Sequence, residues 1–185
     1  MNEVNFFNAN FKEMVFMHMA DALLSPAVGG VMWVAAAGTL AYSATKLSKG
    51  DLEDLDNPKS ISFDKKIPLM GVLGAFVFAS QMINFTIPGT GSSGHIGGGI
   101  LLASLLGPEA GFLTIASVLV IQCLFFADGG LLALGCNMIN MGFFACFIGF
   151  PFIYKKILKN GFTPTKIMIA SIISVVISLQ LGAFG

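Results

Sequence analysis

His18 and His95 are the only two histidines in the chain, and each stands at the edge of an apolar segment. His18 lies in Met17-His18-Met19-Ala20-Asp21-Ala22-Leu23-Leu24-Ser25-Pro26, and His95 closes Pro88-Gly89-Thr90-Gly91-Ser92-Ser93-Gly94-His95. Neutral imidazole is a common metal ligand, so two imidazoles meeting at one membrane face would begin a metal site. Met17-His18 at a chain start would add an amine and the His18 backbone amide nitrogen to the His18 imidazole, closing fused chelate rings of low strain. With the amide deprotonated, this set is planar and suits Ni(II) or Cu(II), whereas Zn(II) prefers tetrahedral ligands. His95 could supply a fourth nitrogen.

The groups around these residues are those of a membrane protein. The chain has 185 residues, of which 55% are hydrophobic and 11% charged, with a mean hydropathy of +0.82. A soluble domain carries about 25% charged residues. The net charge of zero gives no electrostatic footprint for nucleic acid. Cys123, Cys136 and Cys146 lie inside apolar runs with no CxxC, which predicts free buried thiols rather than a disulfide framework. Gly89-Thr90-Gly91-Ser92-Ser93-Gly94 spells GxGxxG, yet an apolar helical segment precedes it and a membrane segment follows it. The strand-loop-helix context of a dinucleotide site is therefore missing. No P-loop occurs. A membrane-embedded metalloenzyme or a bis-histidine haem carrier is one reading of two such histidines, but HExxH and CxxCH are both absent.

A membrane helix needs about 20 mostly apolar residues. The sequence offers six such segments, at 24–47, 67–87, 96–106, 110–126, 131–154 and 166–184. The third is short, and either spans half the bilayer or starts earlier in the Gly-rich loop. Backbone groups must be satisfied internally in lipid, so helices are expected. Pro68, Pro108 and Pro164 are expected at or near helix starts. The predicted fold is an all-α integral membrane protein: a bundle of about six transmembrane helices with a Gly-rich re-entrant-type loop carrying His95. Residues 1–16 form an N-terminal extension without the apolar run of a signal peptide, and 17–185 form a single transmembrane domain.

Lysines orient the bundle. Lys46, Lys49, Lys59, Lys65 and Lys66 belong to the first connection, and Lys155, Lys156, Lys159 and Lys166 to the fifth. The positive-inside rule assigns both connections to the cytoplasm, which sends His18, His95 and Asp128 to the extracytoplasmic side. Asp128, Asn137, Asn140 and Gln122 lie in or beside the fourth and fifth segments. Polar groups there face a bundle interior, either to bond between helices or to line a path.

Three stretches then resemble a known family. MHMADALLSPAV, INFTIPGTGSSGHIGGG and FFADGGLLALGCNMINMG are similar to the substrate-specific membrane subunit of cobalt and nickel energy-coupling-factor importers, the CbiM/NikM family, in the same order and from Met17 to about Gly142. The resemblance implies Co(II) or Ni(II) as transported substrate and no permanent cofactor. It implies metal ligation by the Met17 amine, the His18 amide and imidazole, and His95. Asp21, Asn84, Ser92, Asp128, Asn137 and Asn140 are expected to support the site or line the ion's path. The implied partners are a transmembrane coupling subunit, ATP-binding cassette ATPase subunits, which hydrolyse the ATP, and a small accessory membrane subunit. The implied setting is the plasma membrane of a prokaryote, and cobalt import would serve cobalamin biosynthesis. Two departures accompany the resemblance: sixteen residues precede Met17, and the chain stops at Gly185, where members of the family continue through another helical segment. A start at Met17 and a truncated or split C-terminus are the corresponding expectations.

Overall fold

The structure, a computed structural model, describes residues 18, 19, 21, 24–54, 63–83, 85–87, 92–159 and 161–184. Six helices follow in chain order: α1 (Pro26–Asp54), α2 (Phe63–Gln81), α3 (Gly99–Leu106), α4 (Pro108–Phe126), α5 (Leu134–Leu158) and α6 (Pro164–Phe184). The protein is therefore the expected all-α membrane bundle. Among the described residues, α1, α4, α5 and α6 are long and apolar enough to cross a bilayer, and α2 contributes the shorter apolar stretch Lys66–Gln81. With eight residues, α3 rises only about 12 Å.

Helix α4 is the centre of the bundle. Half of its apolar window is buried, against 17% for the windows of α1 and α6, and it packs on α1, α2, α3 and α5. Phe112, Ile115 and Leu119 of α4 are fully buried, with Leu102 of α3 and Met138 of α5 beside them in the core. No aqueous driving force holds helices together in lipid, so close backbone approach matters. A Cβ at Gly142 of α5 would sit 2.9 Å from the Phe112 ring, and one at Gly135 would meet the Trp33 backbone nitrogen of α1 at 2.7 Å. Helix α6 packs along α5. The three cysteines are free, as expected.

Local chemistry moves several boundaries away from the apolar runs. The second segment, expected to reach Ile87, leaves the helix after Gln81 and forms β1 (Phe85–Ile87), which pairs antiparallel with β2 (Ser92–Gly94), Thr86 opposite Ser93. The third segment, expected from Ile96, becomes helical only at Gly99, because Gly98 holds the left-handed φ of 77°. The fifth starts at Leu134 rather than Leu131, after a turn over 131–133. It then winds with π-type spacing from Met138 to Tyr154. Pro108 and Pro164 open their helices as expected, whereas Pro68 lies inside α2, which begins at Phe63.

Candidate metal centre

The end of α4 builds one side of the site. Ala127 takes a left-handed φ of 52°, and the Asp128 N–H donates to the Gln122 carbonyl at 3.1 Å. The chain then turns through Gly129, whose φ is 86°. This reversal lays residues 128–137 along the segment that carries His18. The Asp128 Oδ1 accepts the His18 backbone N–H at 3.2 Å. Asn137 Oδ1 accepts the Met19 N–H at 3.3 Å, and the Met19 carbonyl accepts the Gly130 N–H at 3.1 Å. Asp21 Oδ1 accepts the Ala133 N–H at 2.8 Å. The N-terminal segment is thus stitched to the loop by three successive anchors, Asp128, Asn137 and Asp21.

Glycines make the fit possible. A Cβ at Gly129 would lie 2.9 Å from His18 Cβ, and one at Gly130 would run into the Asp21 carboxylate.

His18 is 7% exposed, deep for a titratable side chain. Its Nδ1 lies 3.0 Å from Asp128 Oδ2, an electrostatic contact off the alignment of a hydrogen bond. Its Nε2 is buried without a hydrogen-bond partner among the described residues. The ring of His95 stands beside it, with centroids 4.9 Å apart and planes tilted by 59°. His95 Nδ1 lies 3.3 Å from the Ile96 carbonyl. Behind His95, Gly98 seats against Val77 of α2, and Gln81 Nε2 donates to the Gly97 carbonyl at 3.0 Å.

The bundle therefore brings together His18, His95, Asp128, Asn137 and Asp21. Asn140 stands instead at the α5–α6 contact, where a Cβ on Gly182 would be 3.2 Å from its own Cβ. Ser92 is described through its backbone in β2, and Met17 and Asn84 lie outside the described residues. Gln81 was not singled out by sequence, since a glutamine closing an apolar helix carries no periodic signal. Among the described residues, no three His, Cys, Asp or Glu side chains form a ready ligand set. The two imidazoles would need further donors, and the His18 backbone nitrogen is the one at hand among the described residues.

The chain also resembles known proteins in sequence and in fold. Residues 18–185 match the CbiM family, described as the cobalt uptake substrate-specific transmembrane region. A relative from Archaeoglobus fulgidus, bearing the fused nickel-transport name NikMN, is 40% identical over 76% of this chain and 42% of its own length. The cobalt transport protein CbiM of Geobacter sulfurreducens is 29% identical over 78% of this chain and 39% of its own. The crystal structure of a truncated transition metal transporter superposes with a TM-score of 0.72 at 35% identity, covering 90% of this chain and 71% of that one. The chain spans 38 to 62% of the length of the first three relatives it matches.

Proposed function

Because the chain belongs to the CbiM family of cobalt-uptake substrate-specific membrane proteins, we propose that it captures Co(II) or Ni(II) at the extracytoplasmic face and carries it inward. In this reading it is the substrate-specific subunit of an ATP-driven importer of the energy-coupling-factor kind. A transmembrane coupling subunit, ATP-binding cassette ATPases and a small accessory membrane subunit complete the machine, and hydrolysis belongs to the ATPases. Cobalt delivered this way would feed cobalamin biosynthesis.

One observation carries the reading. The only two imidazoles of the chain, 77 positions apart in sequence, approach to 4.9 Å between ring centroids. Both ring nitrogens of His18, Nδ1 included, are buried without a hydrogen bond among the described residues. The substrate ion would be held by nitrogens of His18 and His95, joined by the His18 amide and, where Met17 begins the chain, by its amine. Amide ligation requires that the His18 N–H be given up, and with it the bond to Asp128. A set of four nitrogens near one plane favours Ni(II) over Zn(II).

The test is titration of purified protein with Ni(II) and Co(II) against a competing chelator. His18→Ala and His95→Ala should each abolish tight binding while the melting temperature stays within a few degrees. Wild-type affinity in either variant would rule the site out. A protein begun at Met17, titrated alongside the full 185 residues, isolates the amine: tighter Ni(II) binding and a planar-nickel absorption band are expected from the shorter chain.

A further inference from the structure

We infer that Gln81 and Gln122 form a relay that sets the position of His95 against His18; the inference rests on the metal site proposed above. Both glutamines are completely buried. Gln81 is the last residue of α2, and Gln122 stands one turn before the end of α4. Gln81 Nε2 donates to the Gly97 carbonyl at 3.0 Å, and Gln122 Nε2 donates to Gln81 Oε1 at 3.0 Å.

The direction of this chain is forced. A backbone carbonyl only accepts, so Gln81 must turn its amino group to the loop and its oxygen to α4, and Gln122 must answer with its amino group. Gln122 Oε1 is then left buried with no hydrogen-bond partner among the described residues. A polar atom in that state is costly at membrane depth. Two leucines would fill similar volume without the cost, so packing alone does not account for the pair.

The relay ends two residues beyond His95. The same loop is seated by Gly98, whose φ of 77° lets it lie against Val77, one turn before Gln81. At its other end the relay meets the second half of the site. The Gln122 carbonyl accepts the Asp128 N–H at 3.1 Å, and Asp128 holds the His18 backbone. Gln122 is therefore tied by its side chain toward His95 and by its backbone toward His18. The separation of the two imidazoles is referred to a single residue of the central helix. Gln81 and Gln122 touch no ion in this arrangement; they are positioning residues.

The test uses the purified full chain with Gln81→Met, Gln122→Met, the double variant and Gln81→Glu. Three quantities are read: Ni(II) affinity, the visible ligand-field bands of bound Co(II), and hydrogen–deuterium exchange over residues 95–99 without metal. Gln81→Met should weaken Ni(II) binding roughly tenfold, the scale of one lost hydrogen bond. Gln122→Met should cost less, about threefold, because the contact to Gly97 survives it. The double variant should match Gln81→Met alone, since both act through one link. Gln81→Glu keeps the acceptor for Gln122 but loses the donor to Gly97, and should fall with Gln81→Met. The Co(II) bands should shift and loop exchange should quicken in each case. If Gln81→Met does not fold, Gln122→Met carries the same test. Additive losses in the double variant, or unchanged exchange and bands, would overturn the relay while His95→Ala still abolishes binding. Protein begun at Met17 that takes up neither ion would instead overturn the metal site itself.

Discussion

At the scale of single residues, Asp128 occupies a double position. One carboxylate oxygen holds the His18 N–H and the other stands at Nδ1, the two groups that a planar chelate would use. Without metal, the carboxylate keeps the His18 backbone and ring in register. On capture of an ion through these nitrogens, it would release both contacts and stay beside the site as a negative charge. Without the carboxylate the His18 segment loses an anchor and the ion a neighbouring negative charge, so Asp128→Ala should weaken Ni(II) binding roughly tenfold in calorimetric titration. Asp128→Asn, which retains an acceptor for the N–H, should fall between it and the unmodified protein. An Asp128→Ala protein binding Ni(II) at full strength would show that His18 needs no such partner. The histidines were legible in the sequence because they are rare and each closes a membrane segment. Asp128 and Asn137 were legible as polar groups where apolar helices meet a turn. The bond between Gln81 and Gly97 was not, because it depends on how far α2 runs before it stops.

At the scale of elements, hydropathy alone marked where the apolar segments lie and not where they stop being helical. Ile83, Phe85 and Ile87 extend the apolar run past Gln81, yet that stretch leaves the helix and pairs as a strand. A Thr and an Ile beside a Gly-rich stretch suit an extended ladder as well as a helix, and the pairing partner lies across the loop. The turn over 131–133 was likewise hidden inside an apolar-looking stretch, whereas Gly129 lay in the expected connection. The reversal at Gly129 can be tested by two alanines. Gly129→Ala forces a side chain into left-handed backbone and onto His18 Cβ at 2.9 Å. Ni(II) affinity should drop at least about tenfold, with a strain of roughly 1 kcal/mol or more seen as a lower melting temperature. Gly30→Ala, on α1 with open space around it, should bind normally and be slightly stabilised, by about 0.5–1 kcal/mol. Equal behaviour of the two would show that the turn does not hold the N-terminal segment.

At the scale of the whole molecule, charge and site sit at opposite ends of the bundle. Lys46 near the end of α1 pairs with Glu109 in the first turn of α4, and Lys155 and Lys156 lie in the last turn of α5. The histidines meet where α2 and α4 finish and α5 begins. With the lysine end cytoplasmic, a cysteine at Ser92 should react with an impermeant probe from outside, and one at Ser62 only after the membrane is opened. The reverse pattern would invert the orientation. The stitching of His18 to Asp128 and of Met19 to Asn137 joins positions 110 and 118 residues apart. At a ribosomal pace of about 5–20 residues per second, the first strand of the site exists on the order of ten seconds before its partner is made. The proposed ion-binding end is therefore completed only once residue 137 has been made. In the proposed reading, a newborn chain must begin its fifth helix before the His18 segment is anchored to receive an ion.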